Sequence, residues 1–239
     1  MLLRIPAEEM FIGEYGWHTG RFHFSFADYV DPENPRFGVL RALNDFVLQP
    51  GTGFETHPHD EMEIISYCVE GELTHDDDRG NVNTIQCGDV QYLCAGSGIT
   101  HSEMNEMPSS SLRFLQIWIT PNRSGLKPKY RYKQFSKVNC ANELQHIVSG
   151  EALNGAIQIA QDANIYAARL EKGKELTLTT GENRQGYLVC LEGRLTVNDI
   201  ELKQNDALKV WGEVLLTMTA VEEGHFLLVE MAAERQVYD

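Results

Sequence analysis

The feature that most constrains the fold is an internal repeat, because a duplicated chain builds the same substructure twice. The segment Cys68–His75, CVEGELTH, closely parallels Cys190–Val197, CLEGRLTV, at an offset of 122 positions. A second pair of segments, Cys87–Tyr92 and Gln204–Lys209, follows in the same order, with the offset reduced by a shortened turn. Two anchors in the same order indicate that the chain consists of two copies of one unit.

Short apolar and β-branched runs recur between turn residues in both copies, and this pattern is typical of β-strands. The six clearest runs are Ile64–Val69, Val90–Cys94, Leu112–Thr120, Tyr187–Leu191, Leu208–Trp211 and His225–Met231. Helical patterning is thin, and the best candidates are Ala141–Val148 and a turn near Ala7–Met10. The sequence therefore predicts an all-β protein with few short helices.

Two short segments of the first copy place ligand-type side chains at strand spacing. His57 and His59 form a His-x-His pair, and His101 and Glu103 form a His-x-Glu pair about forty positions later. Alternate side chains of a strand face the same side, so each pair directs two ligands into one cavity. Three neutral imidazoles and one carboxylate suit one divalent ion of iron, nickel, copper, zinc, manganese or cobalt, and they leave coordination positions free. The pattern indicates a reactive metal site.

The second copy lacks this ligand set. Counted across the repeat, the four ligand positions fall on Thr179, Gly181, Met218 and Ala220. The histidines of this half, His146 and His225, lie outside these positions and far apart in sequence. We therefore expect an N-terminal domain, 1–135, that holds the metal, and a C-terminal domain, 136–239, that is a degenerate copy without metal ligands.

Several other polar residues have more than one interpretation. Glu63 is a metal ligand, a hydrogen-bond partner that orients a histidine ring, or a plain strand residue, and we favour the hydrogen-bond partner. His18, His23 and His75 have no ligand-type partner on the same face, so we interpret them as structural. Around the motifs, alternation along the strands leaves it open whether a side chain lines the cavity or packs in the interior. This applies to Phe54, Met62, Phe114, Gln116 and Trp118.

The composition excludes some classes of function. With 35 acidic against 20 basic side chains, the net charge of −15 repels phosphate backbones and anionic lipids. The first twenty residues include four charged side chains, and no run approaches the roughly 18 uncharged apolar residues of a membrane span. The five cysteines never form a C-x-x-C pair, which is typical of reduced thiols. We expect a cytoplasmic protein that binds neither nucleic acid directly nor a membrane.

The motif residues resemble those of a known family. The segment Gly51–Gly71 closely follows the first cupin motif, and Gly88–Asn105 follows the second with a longer inner spacing. Together with Phe24–Tyr29 and Ala95–Glu103, these segments make the chain resemble the pirin family over nearly its whole length. The chain departs from the general cupin pattern at Cys94, where proline is usual, and in one extra residue within the first motif. Neither change removes a ligand.

The resemblance implies a bicupin fold, with two stacked antiparallel β-barrels of the jelly-roll type. In pirins one metal ion, typically iron(II), is held by residues that match His57, His59, His101 and Glu103. The position that matches Glu63 is usually not a direct ligand. Some bacterial pirins oxidise the flavonol quercetin as 2,3-dioxygenases, and a mammalian member is an iron-dependent transcription co-regulator. Family membership alone therefore does not settle the function.

Two functions from different classes follow. The first is an oxygenase whose metal binds a flavonol such as quercetin beside dioxygen, with Glu103 as both ligand and acceptor of the substrate's hydroxyl proton. The second is a metal- or redox-responsive protein that binds a protein partner, as a transcription co-regulator does, without catalytic turnover. A cupin-type sugar-phosphate isomerase is a weaker third hypothesis. The motif strands offer few basic side chains for a phosphate, and Arg113 is the nearest.

Overall fold

The computed structural model describes residues 1–135, 141–153 and 155–234. Within these ranges it contains 22 strands and one 3₁₀ turn, Ala7–Glu9, where the sequence predicts a turn. The strands are β1 Leu2–Ile5, β2 Phe11–Glu14, β3 His18–Phe22, β4 Leu40–Leu48, β5 Thr52–His59, β6 Glu63–Glu70, β7 Glu72–Asp77, β8 Val82–Gln86, β9 Val90–Cys94, β10 Ile99–Asn105, β11 Leu112–Ile119, β12 Lys129–Lys133, β13 Gln145–Ser149, β14 Ile157–Gln158, β15 Ala163–Leu170, β16 Glu175–Thr179, β17 Arg184–Glu192, β18 Arg194–Val197, β19 Ile200–Lys203, β20 Ala207–Trp211, β21 Leu215–Ala220 and β22 Gly224–Ala232. None of the described residues forms a helix long and apolar enough to cross a membrane.

The first compact unit contains the described residues from 11 to 135 together with Ile159–Gln161. It has a seven-stranded sheet, in the order β12-β9-β6-β11-β4-β3-β2, and a four-stranded sheet, in the order β5-β10-β7-β8. The two sheets pack face to face, because Phe46 and Phe114 of the larger sheet share one buried cluster with Leu73 of the smaller. Side chains that point between the sheets therefore form the interior of this unit.

The second compact unit contains residues 1–10 together with the described residues of 141–158 and 162–234. Its sheets have the orders β1-β20-β17-β22-β15-β13-β14 and β16-β21-β18-β19. The first strand of the chain thus pairs with β20. Its Arg4 guanidinium lies 2.8 Å from the carboxylate of Asp206. The proposed domains, 1–135 and 136–239, differ from these units in where residues 1–10 and 159–161 fall, and the boundary itself remains a prediction.

The same backbone contacts recur in the two copies. The N–H of Cys68 donates to the carbonyl oxygen of Asp89 at 3.1 Å, and the N–H of Cys190 donates to that of Asp206 at 3.0 Å. Each aspartate side chain also accepts a hydrogen bond from the backbone N–H three residues before it. The duplication predicted from the sequence is therefore present in the hydrogen bonding of both units.

The six runs predicted as strands are confirmed, and they form β6, β9, β11, β17, β20 and β22. The helix predicted over Ala141–Val148 is wrong, because Gln145–Ser149 forms β13 and pairs with β15. The β-branched side chains of Ile147 and Val148 are buried there and suit a strand better than a helix. The predicted all-β fold of the jelly-roll type is confirmed, and among the described residues each unit is a pair of packed sheets rather than one closed barrel.

Candidate metal centre

Three of the predicted ligands lie side by side on the smaller sheet of the first copy. His57 and His59 lie on β5, and the strand register places His101 of β10 opposite His57. One ring nitrogen from each histidine lies within 4.8 Å of the other two. The ring centroids are 4.6 to 4.9 Å apart. The structure therefore brings the three imidazoles to one point.

The protonation pattern of these rings fits a metal ion. Within the described part of the chain, the buried Nε2 atoms of His59 and His101 have no hydrogen-bond partner. Nδ1 of His57 lies 2.7 Å from the carbonyl oxygen of Glu55, so Nδ1 is the donor and Nε2 keeps its lone pair. Burial lowers the pKa of His59 to about 4 and that of His101 to about 3. Both rings are therefore neutral at pH 7, and a metal ion would satisfy nitrogens that are costly to leave unpaired.

Glu103 follows His101 on β10 and is fully buried. Its Oε1 accepts hydrogen bonds from Ser66 Oγ and Gln91 Nε2, both at 2.8 Å, and its Oε2 accepts one from Gln116 Nε2 at 2.5 Å. A carboxylate has about four acceptor positions, so one on Oε2 is left for a cation or a proton. Among the described residues, the group of ligand atoms within 4.8 Å of one another consists of the three histidines and does not include Glu103.

A cavity of about 690 Å³ opens beside the histidines, and His57 and His59 are part of its lining. The rest of its wall is mainly aromatic and apolar, with Trp17, Phe26, Phe46, Phe54, Met104 and Trp118. Trp118 donates its indole N–H to Gln116 Oε1 at 3.0 Å, which connects the wall to the amide that holds Glu103. This volume lies within the roughly 300–1,000 Å³ of small-molecule sites, and the lining suits an aromatic ring system.

The structure also shows which of the five side chains around the motifs line the cavity and which pack in the core. Phe54, Gln116 and Trp118 line the cavity beside the histidines. Phe114 lies in the buried cluster between the two sheets. Met62 packs against a separate small apolar cluster that includes Ile64. Strand pairing fixes these orientations, which alternation alone could not.

His75 is the residue that sequence reasoning missed, because we interpreted it as structural. It is fully buried on β7, and the register places it opposite Glu103 of β10. Its Nδ1 lies 3.3 Å from Nδ1 of His101, and its Nε2 lies 3.1 Å from Asp77 Oδ2. The signal that could have revealed it is the His-x-Asp spacing of His75 and Asp77, which matches that of the ligand pairs.

Two other polar residues have roles different from those considered. The carboxylate of Glu63 accepts hydrogen bonds from the Tyr92 hydroxyl at 2.6 Å and from the backbone N–H groups of residues 160 and 161 at 2.7 and 2.9 Å. It therefore anchors a backbone segment, and our preference for a partner of a histidine ring is wrong. Arg113 lies 2.6 Å from Asp45 in a largely buried ion pair. The isomerase hypothesis thus loses its candidate for binding phosphate.

Strand pairing corrects the counterpart of Glu103 in the second copy. His75 matches Val197 in the repeat, and whereas His75 pairs with Glu103, Val197 pairs with Met218. Met218 is therefore the counterpart of Glu103, and the earlier assignment of Ala220 is wrong. Met218 lies 12 residues after the anchor Asp206, whereas Glu103 lies 14 residues after Asp89, so a count that keeps the first spacing overshoots by two.

Two of the three histidine positions are apolar in the second copy. Leu178 and Leu216 form the pair that His57 and His101 form in the first, so the assignments of Thr179 and Met218 to these histidines are wrong. The same register places Thr180, and not Gly181, at the position of His59.

The three residues that donate hydrogen bonds to Glu103 correspond to Leu188, Leu208 and Leu228. These leucines pack in one hydrophobic cluster with Val197. The equivalent positions of the second copy thus form an aliphatic interior.

Two family models match the chain in succession. Residues 6–119 match the model described as Pirin, and residues 146–231 match the one described as Quercetinase C-terminal cupin domain. The chain is 39% identical over 233 residues to a pirin-like protein of Caulobacter vibrioides, covering 97% of this chain and 100% of the relative. It is 33% identical over 231 residues to a quercetin 2,3-dioxygenase of Escherichia coli, covering 97% and 99%. The crystal structure of the bacterial pirin YhhW from Escherichia coli in complex with nickel(II) matches with a TM-score of 0.91 at 33% identity, covering 98% of this chain and 100% of that one.

Proposed function

The chain belongs to the pirin family of bicupin proteins, and from that premise we propose that it is a metal-dependent dioxygenase that cleaves a flavonol such as quercetin at the 2,3-bond. The observation that carries this proposal is the convergence of three neutral imidazoles beside an aromatic-lined cavity of about 690 Å³. The proposed metal is iron(II), to be tested against nickel, copper, zinc, manganese and cobalt. The relatives named as quercetin 2,3-dioxygenases support the choice of substrate.

Four side chains of the first copy would hold the ion. His57, His59 and His101 each present a ring nitrogen, and we propose Glu103 as the fourth ligand through the open position on Oε2. Imidazole nitrogen and carboxylate oxygen suit a divalent transition metal and leave room for substrate. The bound ion would polarise the adjacent hydroxyl and carbonyl oxygens of a flavonol and bring the substrate beside dioxygen.

The cavity wall positions the substrate. Phe54 meets Phe46 edge to face at 5.0 Å, and Trp118 meets His59 edge to face at 5.0 Å, so these rings support one another. A planar flavonol stacked among them would be held with its polar edge toward the histidines, because His57 and His59 belong to the wall and would hold the ion that binds its oxygens. The apolar rings also exclude water from the reacting oxygens.

Glu103 is the proposed proton acceptor. Oε2 has one open acceptor position, so it would exchange its contact with the ion for the substrate's hydroxyl proton, while Ser66 and Gln91 keep Oε1 fixed. Because the carboxylate accepts three hydrogen bonds, it presents Oε2 to the hydroxyl in one orientation.

The test measures bound metal by elemental analysis and oxygen uptake with quercetin, for protein loaded with each ion in turn. Glu103→Gln keeps the size of the side chain and removes its charge and basicity. We expect metal affinity to fall by about 10- to 100-fold. Oxygen uptake per bound metal should fall further, by about 10² to 10⁴, because a positioned proton acceptor is lost.

The matched control is Glu63→Gln, which changes a second fully buried carboxylate that also accepts three hydrogen bonds. It should leave turnover per bound metal near the wild-type value. Wild-type turnover per metal in Glu103→Gln would show that Glu103 is not the base. If no loaded form consumes oxygen with any flavonol, the alternative of a metal- or redox-responsive protein that binds a protein partner takes precedence.

A further inference from the structure

Three buried groups form a hydrogen-bonded line that ends at the metal-facing nitrogen of His101. Asp77 Oδ2 lies 3.1 Å from His75 Nε2, and His75 Nδ1 lies 3.3 Å from His101 Nδ1. Tyr130 stacks on the His75 ring at 4.3 Å and holds its plane. At the far end, in the part of the chain that is described, Nε2 of His101 is buried without a hydrogen-bond partner.

The Asp77 carboxylate is itself firmly held at the β7–β8 turn. Its Oδ1 accepts hydrogen bonds from the backbone N–H groups of Arg79 and Asn81, both at 3.0 Å. The Asn81 amide donates to Oδ2 at 2.8 Å. Burial raises the pKa of Asp77, but the hydrogen bonds from Asn81, His75 and Arg79 outweigh it and leave the pKa below its usual value. At neutral pH the carboxylate therefore only accepts hydrogen bonds.

This acceptor sets the direction of every bond in the line. Because Asp77 accepts, His75 Nε2 carries the proton and donates. If the His75 ring is uncharged, its single N–H is the one on Nε2, and its Nδ1 is an acceptor. His101 Nδ1 must then carry the proton of that ring and donate it to His75. The lone pair of His101 is consequently on Nε2.

We infer that His75 and Asp77 are positioning residues that fix the tautomer of His101 and so present its Nε2 lone pair to the metal ion. The inference rests on the metal site of the proposed function and goes beyond it, since neither residue belongs to the ligand set. The internal repeat supports it independently. Where the second copy has leucine in place of His101, it has Val197 in place of His75, so the ligand and the histidine that accepts its hydrogen bond are lost together.

The decisive variant is Asp77→Asn, which reverses the direction of the line. The amide oxygen can stay on the two backbone N–H groups of the turn, and this places the NH₂ toward His75 Nε2. That nitrogen must then accept, so His75 Nδ1 becomes the donor and His101 carries its proton on Nε2. We expect metal affinity, measured by competition with a chelator, to fall by about 10- to 100-fold.

The tautomer itself is read from ¹⁵N spectra of histidine-labelled protein without metal. The wild type should show His101 protonated on Nδ1, and Asp77→Asn should show it protonated on Nε2. The control is Asp76→Asn, which removes the same charge from the neighbouring, exposed position on β7. It should change neither the tautomer nor the metal affinity. Circular dichroism checks that each variant is folded.

A second variant covers the case in which Asp77→Asn does not fold. His75→Phe keeps an aromatic ring stacked on Tyr130 and removes the acceptor for the N–H of His101. The His101 ring should then be a mixture of its two tautomers. Metal affinity should therefore fall less than in Asp77→Asn. The inference is overturned if Asp77→Asn, or His75→Phe in its place, keeps both the wild-type tautomer and the wild-type affinity. Neither readout uses oxygen uptake. The two proposals can also fail separately. If the wild type never turns over a flavonol but Asp77→Asn shifts the tautomer and weakens metal binding, the proposed function is refuted and this inference is supported.

Discussion

In the first copy His57, His75 and His101 lie beside a glutamate and its hydrogen-bond donors, whereas leucine, valine and methionine fill the same positions in the second copy. The strand pairings that place them are equivalent. In the first copy Glu103 has three donors and His75 has two partners, so most of the buried polar atoms are satisfied. In the described part of the first copy, the buried atoms without a partner include Nε2 of His59 and of His101, and also Nδ1 of His18, both amide atoms of Asn44 and Nδ2 of Asn83. The comparison shows that the same pair of sheets can hold either a largely hydrogen-bonded polar interior or an aliphatic one.

The two interiors also differ in what they contribute to stability. Fully burying an aliphatic side chain contributes about 1.5–3 kcal/mol. Leaving a buried polar atom without a partner costs about 1–3 kcal/mol. The second copy therefore gains stability from the positions at which the first copy holds its site. We expect the first copy without metal to be the weaker of the two, and three experiments can break or sharpen this contrast.

The largest expected effect is the loss of metal from the first copy. His101→Ala, and likewise His57→Ala, should reduce bound metal from stoichiometric to near zero without unfolding the protein, because the remaining ligands bind a divalent ion far more weakly. Elemental analysis of the purified variants measures this. His225→Ala, in the second copy, should leave the metal content unchanged. Equal loss from His225→Ala would refute the assignment of a single site to the first copy.

Acid should weaken the first copy in particular. Burial lowers the pKa of His23 and of His101 to about 3. In the unfolded chain a histidine has a pKa of about 6.5, so it takes up a proton at a higher pH than the buried rings do. Above pH 6.5 these rings do not change the free energy of unfolding. Below it, the free energy of unfolding falls steadily until the pH reaches the pKa values of the folded protein. Each contributes up to about 1.4 kcal/mol per pH unit in that window. His59, with a pKa lowered to about 4 but a partly exposed ring, adds less.

Urea unfolding of chelator-treated protein between pH 6.5 and 5 isolates these groups, because carboxylates titrate mainly below that range. Tryptophan fluorescence of Trp211→Phe reports on Trp17 and Trp118, both in the first copy. The unfolding midpoint from these two residues should be level from pH 8 to 7 and should drop from 6.5 to 5. A midpoint that stays constant down to pH 5 would contradict the weakness we assign to the first copy.

The matched change in the second copy should affect stability and leave the metal content unchanged. Leu216→Ala alters the counterpart of His101 and leaves a cavity in the aliphatic cluster. It should lower the free energy of unfolding by about 2–5 kcal/mol, measured by urea titration. The metal content of the folded protein should remain that of the wild type. A loss of metal comparable to that of His101→Ala would show that the second copy takes part in the site.

Sequence reasoning succeeded where the signal was local. The strands β6 and β17 and the pairs around His57 and His101 follow from residue spacing within a few positions. It failed where the answer depended on which strands are neighbours. His75 faces His101 only because β7 lies beside β10. The two-residue offset at Met218 arises between two strands, where no residue pattern predicts the length of the connection. The helix expected at Ala141–Val148 is wrong for a different reason: Gln145–Ser149 pairs with β15, and its β-branched Ile147 and Val148 already suit a strand.

The pairing of β1 with β20 has a consequence for how the protein is made. Residues 2–5 leave the ribosome about 200 positions before their partner strand, which at roughly 5–20 residues per second is a wait of about 10–40 s. During translation the first copy can complete both of its sheets while Leu2–Ile5 stays without a strand neighbour. A fragment that begins after the first copy would present β20 as an open edge, a template for aggregation. Separating the two copies for study therefore requires a permuted chain in which Leu2–Ile5 is fused to the second copy.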